Sequence, residues 1–292
     1  MLFSEYAERW LIQTAHLVRR STLTNYRWAV RLHLAPRFGA QPLRELRRVQ
    51  CLDLGHTLLQ SGLAPGSVRL ILTVLRAICS SAVDDEVIPV NPCARFGKRL
   101  RTVTSARVRP ARQVPDREEV ERLLHAAREV APQAAGLFLF LARTGCRIGE
   151  ALRLEWSAVD LDARLVLLGE HESKTVAGQR LVDLSAQTVL MLRGLPRHPH
   201  SPLVFWSRYG GGRLDRSWTG QLFHRAVLRA GLPPTLTLHA LRHSHASQLL
   251  RRGEPLQYVS RSLGHASVHL TLGLYGAHLP NSRHAAVDGL DE

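Results

Sequence analysis

Apolar residues recur every three or four positions through the first third of the chain, as one face of an α-helix requires. Phe3, Ala7, Trp10 and Leu11 mark one such face, and Leu23, Tyr26, Ala29 and Val30 mark a second behind Ser21 as its cap. Val49, Leu52 and Leu59 mark a third that stops at Gly62, and Val68, Ile71, Leu72, Leu75 and Cys79 a fourth. The pattern predicts a compact four-helix domain over residues 1–94, closed by Asn91-Pro92. Its outer faces carry Arg19, Arg20, Arg27, Arg31, Arg69 and Arg76, each as well suited to solvent as to a polyanion.

The helical pattern restarts at Asp116-Arg-Glu-Glu119, a capping-box sequence ahead of a buried stripe of Val120, Leu123, Leu124 and Ala127. A second apolar helix crosses Gly136 to Ala142. The period then shortens: Arg164 to Leu168 and Gln179 to Leu184 predict two short strands around a polar turn that holds Lys174 and Gly178. From Ser217 helical spacing returns, with stops at Gly231, Gly253 and Gly264. Residues 115–292 therefore read as a second domain, and the whole chain as mainly α with a small antiparallel β-sheet.

A chain of 292 residues with 45% hydrophobic content can fill two cores, which excludes disorder throughout. Its formal net charge of +15 points to a polyanionic partner, nucleic acid ahead of an anionic membrane surface. The longest apolar run, Ala134 to Ala142, falls far short of the roughly 20 residues of a membrane span, and the N-terminus lacks a signal pattern. A soluble, intracellular protein with no membrane partner is expected. Cys51, Cys79, Cys93 and Cys146 have no C-x-x-C spacing and are expected to be reduced thiols in or near the cores.

The charge concentrates between the domains. Residues 95–114 hold seven cations, among them Arg95, Lys98, Arg99, Arg101, Arg107 and Arg109, and no acid. With no clean period and with Pro110 near its end, the stretch reads as a basic interdomain linker. It is either a solvated tether or a strap along DNA phosphates, where counterion release would favour contact.

Four islands in the second domain carry candidate chemistry. In Thr144-Gly-Cys-Arg147-Ile-Gly-Glu150 a cation follows a glycine turn with an acid three residues on, which alone fits a surface ion pair worth about 0.2 to 0.5 kcal/mol. In His239-Ala-Leu-Arg242-His243-Ser-His245 the first His and the Arg share a helical face, suited to two donors on one phosphate. His239 and His243 also have the spacing of two zinc ligands, but no H-E-x-x-H and no third ligand accompany them, so no metal site is expected. Leu263-Gly264-His265 and Tyr275 complete the set. Lys174 stands out differently, because only it and Lys98 are lysines among 39 basic residues.

Taken in order, T-G-C-R-I-G-E-A-L, the hairpin Lys-Thr, H-A-L-R-H, L-G-H and L-Y-G-A-H strongly resemble the tyrosine recombinases, the phage-integrase-type site-specific recombinases. FSEYAERWL and HLAPRFGAQPLREL resemble their helical core-binding domain. The resemblance implies a two-domain clamp around DNA, with a core-binding domain (1–94), the basic linker (95–114) and a catalytic domain (115–292) ending in a tail (276–292). It implies an active site of Arg147, Lys174, His239, Arg242, His265 and Tyr275, with Glu150 orienting a donor from behind.

The chemistry of those roles is coherent. Two permanently charged guanidiniums and His265 would neutralise the growing charge on a phosphodiester, and Tyr275 would attack to leave a 3′-phosphotyrosine and a free 5′-hydroxyl. A phenol with a pKa near 10 needs a proton acceptor, the role implied for His239. Lys174 would protonate the leaving oxygen, since arginine is a far worse proton donor. Bond energy is conserved in the phosphotyrosine, so no cofactor, metal or ATP is expected.

The resemblance further implies a homo-tetramer on paired double-stranded recombination sites, possible accessory DNA-bending proteins, and a cytoplasmic, nucleoid-associated setting. The tail could dock on its own subunit or on a neighbour. With core-binding helices beginning at Phe3, no arm-binding domain is expected, which favours short sites. Integration or excision of a mobile element is favoured over an Xer-like housekeeping recombinase or resolvase. A type IB topoisomerase and a catalytically silent DNA-binding protein remain as alternatives.

Overall fold

A computed structural model describes residues 1–94, 114–169, 179–265 and 267–275. The chain divides into two compact units, Met1–Ala111 and Arg112–Glu292.

The first unit is helical. It comprises α1 (Phe3–Thr14), α2 (Arg20–Ala29), a π-helical turn (Val30–Leu34) running into α3 (Ala35–Phe38), α4 (Arg48–Gln60) and α5 (Pro65–Asp84). The helices form where apolar spacing predicts them, with three differences. Ser21 lies inside α2, whose cap position is Arg19. On α4 the fully buried face is Cys51, Leu54, Gly55 and Leu58; the predicted Leu52 and Leu59 pack against this core partly buried, while Val49 is exposed. Gly55 explains the phase: a Cβ there would stand 3.0 Å from Leu72 Cδ1 of α5, so the bare backbone is the surface that packs. The third difference is the segment between α2 and α4, where turns absent from the sequence reading bury Leu34, Phe38 and Leu43.

Helix α5 is the axis of this unit and contacts α1, α2 and α4. By length and composition it is apolar enough to cross a membrane, a property hidden from a search for unbroken apolar runs by Arg69 and Arg76. Its stripe of Val68, Ile71, Leu72, Val74, Leu75 and Ile78 is instead buried in the core, each such side chain contributing about 1.5 to 3 kcal/mol by leaving water. The Tyr6 hydroxyl donates to Asp85 Oδ2 (2.7 Å) and ties α1 to the end of α5. Cys51, Cys79 and Cys93 are free and buried here, as is Cys146 in the second unit.

The second unit contains α6 (Arg117–Val130), α7 (Pro132–Thr144), α8 (Ile148–Ala151), β1 (Val159–Asp160), β2 (Leu165–Leu168) and β3 (Arg180–Asp183). It continues with α9 (Ala186–Arg193), α10 (Arg216–Arg229), α11 (Leu238–Arg251), α12 (Leu256–Leu263) and α13 (Val268–Tyr275). Asp116 caps α6 as expected: its carboxylate accepts from the Glu119 amide (2.8 Å) while Glu119 accepts from the Asp116 amide (2.9 Å).

The three strands form one antiparallel sheet in the order β1-β2-β3, with Val166 opposite Val182. The fold is therefore mainly helical with a small antiparallel sheet; β1 and α9 are additions to the sequence reading. Helix α7 runs through the core, where Phe138 meets Phe223 of α10 edge-on and Phe140 packs on Phe205. Gly145 ends α7 at φ 62° and turns the chain into Cys146-Arg147. A side chain there would stand 2.5 Å from His245 Cδ2 of α11, so glycine is required twice over, by conformation and by space.

Candidate active site

Arg147 occupies the cap position of α8. Its backbone N–H donates to Glu150 Oε2 (2.8 Å) and its guanidinium to Glu150 Oε1 (3.0 Å). The same carboxylate receives two bonds from Arg180 of β3, at 3.0 and 2.9 Å. Burial pushes the Glu150 carboxyl upward, but the bonds and charge of Arg180, then those of Arg147, override it and hold the group down at about 2. Glu150 and Arg180 have almost no exposed side chain, whereas Arg147 keeps 44% exposed. The i,i+3 pair read from sequence is thus one arm of a buried network.

The network converges on the C-terminus of α12. Arg180 Nε donates to the Ser262 carbonyl (2.6 Å), Arg242 to that of Leu263 (2.6 Å) and Arg147 to that of Gly264 (3.1 Å). Three guanidiniums thus take three successive carbonyls at a helix end that carries partial negative charge. Gly264 makes the fan possible: it sits at φ 65°, and a Cβ would come within 2.8 Å of Arg180 Nη1. Arg242 also donates to the Gly145 carbonyl (2.7 Å), so the two glycine turns are tied through one buried side chain. Burial, then the charge of Arg147, lowers Arg242 to about 10, which leaves it protonated at neutral pH. Three cations around one carboxylate leave a positive surplus fitted to a phosphodiester.

His265 follows this turn, with Nδ1 paired to the Thr271 hydroxyl of α13 (2.7 Å). Burial, then the charges of Arg242, Arg147 and Arg180, pushes it down to about 4, so it is neutral at pH 7. Tyr275 ends α13 with its ring packed among Ala246, Leu250, Val259 and Leu263. Its hydroxyl lies 2.5 Å from His243 Nδ1. One turn back on α11, the His239 ring meets the His243 ring edge-on at 4.6 Å. An open cleft of about 720 Å³ adjoins this corner, lined by Arg147, Arg216, His224 and His239 among others.

A family model described as the phage integrase family matches residues 113–281, and one described as the phage integrase N-terminal SAM-like domain matches residues 2–59. The chain belongs to the phage integrase family. It is a DNA-binding enzyme, a tyrosine site-specific recombinase. The chain is 27% identical over 303 residues to the ICEBs1 integrase of Bacillus subtilis (strain 168), spanning 92% of this chain and 77% of that one. It is 34% identical over 180 residues to the tyrosine recombinase XerD of Mycobacterium tuberculosis (strain H37Rv), 56% of this chain and 57% of the relative. The fold is similar to that of the Tn1549 transposon integrase in complex with a circular intermediate DNA, with a TM-score of 0.80 at 18% identity, covering 100% of this chain and 99% of that one.

Of the residues that the family resemblance singles out, Arg147, His239, Arg242, His265 and Tyr275 lie within electrostatic reach of this one corner. Lys174 lies outside the described residues, as do Arg95, Lys98, Arg99, Arg101, Arg107 and Arg109 of the linker and the tail 276–292. Tyr258 donates to Asp183 (2.8 Å), and burial followed by that carboxylate pushes it up to about 12, away from nucleophilic use.

Sequence reading missed Arg180 and the contact of His243 with Tyr275. Arg180 had a legible signal. Strand alternation puts it on the same face as Val182, which pairs with buried Val166, so a charge was being directed inward. The His243 contact had no such signal, because it depends on where α13 returns.

Proposed function

We propose that this recombinase cuts and rejoins duplex DNA through a 3′-phosphotyrosine on Tyr275, in the integration or excision of a mobile element. The observation that carries the reading is the convergence of Arg147, Arg242 and His265 with Tyr275 at the C-terminus of α12. The scissile phosphate would bind over Arg147 and Arg242, whose charges offset the negative charge that grows as the phenol oxygen attacks. Neutral His265 would donate to a non-bridging oxygen from Nε2, in the tautomer whose Nδ1 accepts from the Thr271 hydroxyl. The family resemblance gives the phenolic proton to His239, whose ring lies 4.6 Å from that of His243. The 5′-oxygen leaves with a proton from Lys174. Religation reverses each transfer, so the phosphodiester is restored without an external energy source.

The mobile-element reading is supported by similarity to the ICEBs1 integrase across most of both chains, and the Tn1549 integrase shares the fold. A phosphate-tracking role for the linker follows from its seven cations and no acid. Action on paired sites as a tetramer and docking of the tail on a neighbour follow from the family resemblance. So does action in the cytoplasm, at the nucleoid.

The test uses purified protein with EDTA and a pool of nicked suicide duplexes that includes the flanks of its own gene. Wild type is expected to give a denaturant-resistant protein–DNA adduct that Tyr275→Phe loses. Salt-sensitive binding with no adduct on any duplex would favour a silent DNA-binding protein, and an adduct surviving in Tyr275→Phe would remove Tyr275 as nucleophile.

A further inference from the structure

We propose that His243, rather than its neighbour His239, is the base that takes the Tyr275 proton during strand cleavage and returns it on religation. The inference rests on Tyr275 as the nucleophile. A phenol has an ordinary pKa near 10, so attack at neutral pH needs an acceptor in contact with its oxygen. His243 Nδ1 stands 2.5 Å from that oxygen. Tyr275 is 2% exposed and His243 6%, so bulk water has little access to the pair.

The surroundings make the transfer depend on substrate. On the same helix His239 meets the His243 ring, and Arg242, coupled to Tyr275, is itself coupled to Arg147, Glu150 and Arg180 around the α12 terminus. Arg242, next to His243 in the chain, and the guanidiniums around it make this corner positive before DNA binds. A bound phosphodiester brings the negative charge that offsets a protonated His243. The step then balances. Nδ1 takes the phenolic proton, the Tyr275 Oη–P bond forms, and the P–O5′ bond breaks as O5′ is protonated. On religation the 5′-hydroxyl attacks, and the departing phenolate recovers its proton from Nδ1. Neutral His243 must therefore carry its ring proton on Nε2 before attack.

The role is testable with the full chain and a suicide duplex that gives the Tyr275 adduct. His243→Asn places an amide oxygen near the Nδ1 position, able to accept a hydrogen bond from Tyr275 but unable to take its proton. It is expected to bind DNA within about threefold of wild type yet form adduct about 100-fold more slowly at pH 7, the scale of a lost general base. Its rate should climb roughly tenfold per pH unit as hydroxide takes over, a dependence absent from wild type. Adduct formation within about threefold of wild type, with an unchanged pH profile, would overturn the proposal.

A measurement on the unmodified side chains guards against a variant that does not fold. Nitrogen-15 spectra of the wild type at pH 7 are expected to show His243 Nδ1 unprotonated and accepting, and a proton on Nδ1 would overturn the assignment equally. Tyr275→Phe separates the two levels: an adduct that persists there refutes the nucleophile itself, whereas an adduct lost there but normal in His243→Asn refutes only the base.

Discussion

The two units bury different kinds of residue. Among the described residues, every buried polar or charged side chain lies in the second unit: Glu150, Arg180, Arg242 and His243 with several serines and threonines. The first unit's buried set is hydrophobic throughout, Tyr6 and its cysteines included. Burying an ion costs several kcal/mol unless it is paired and fully hydrogen-bonded, so the second unit meets a cost the first avoids. Its partners show how: one carboxylate shared by two guanidiniums, and three helix-end carbonyls each assigned a donor. The difference teaches that the first unit is organised by packing alone, while the second holds a preformed positive site in place by packing around it.

The sharpest way to break that contrast is to remove one charge. Arg180→Met should cost about 3 to 5 kcal/mol, because Glu150 is left buried with Arg147 alone. Adding Glu150→Leu should recover most of that loss, since an apolar pair needs no compensation, yet leave adduct formation on a suicide duplex impaired. Denaturant titration and the cleavage assay together read this; recovery of full activity in the double variant would make the network purely structural.

In the first unit the corresponding change is Leu54→Ala, expected to cost about 2 to 5 kcal/mol through lost burial and a residual cavity. The pH response should also differ between units. His245 and His265 are both pushed down to about 4, His245 chiefly by burial, and the His245 Nε2 atom is buried without a hydrogen-bond partner among the described residues. The unfolded chain takes up these protons near pH 6.5 while the folded state resists until about 4. Stability is therefore complete above 6.5 and falls between 6.5 and 4, by up to about 1.4 kcal/mol per pH unit for buried His245 and by less for half-buried His265, whose charge solvent screens. Glu150, held at about 2, adds its own loss only below about 4.5. Thermal melts across this range should show the second unit's transition moving, and a transition that stays still would contradict the burial of these rings.

Gly264→Ala should cost about 1 to 2 kcal/mol for the left-handed backbone and should slow adduct formation through displaced Arg180. The smallest effect belongs to Val49→Ala on the exposed face of α4, within about 0.5 kcal/mol of wild type. A loss like that of Leu54→Ala would mean the helix packs by the face read from sequence.

Much of this was legible in the chain. Helical period marked α1, α5, α6 and α11, the Asp116 capping box marked the start of α6, and glycines marked the ends of α7 and α12, because each depends on residues only a few positions apart. The ordered motifs identified the family for the same reason, since each is a local run around a turn. The phase of α4 was not legible, because which face is inward depends on Gly55 meeting Leu72 of another helix. Nor was the partnership of Arg180 with Glu150, thirty residues apart, or of His243 with Tyr275, thirty-two apart. By itself the sequence determined which segments are helices, where they turn and what chemistry they carry. Only the tertiary structure decided which charges share a carboxylate and which imidazole meets the phenol, because those contacts are set by chain segments that become neighbours only on folding.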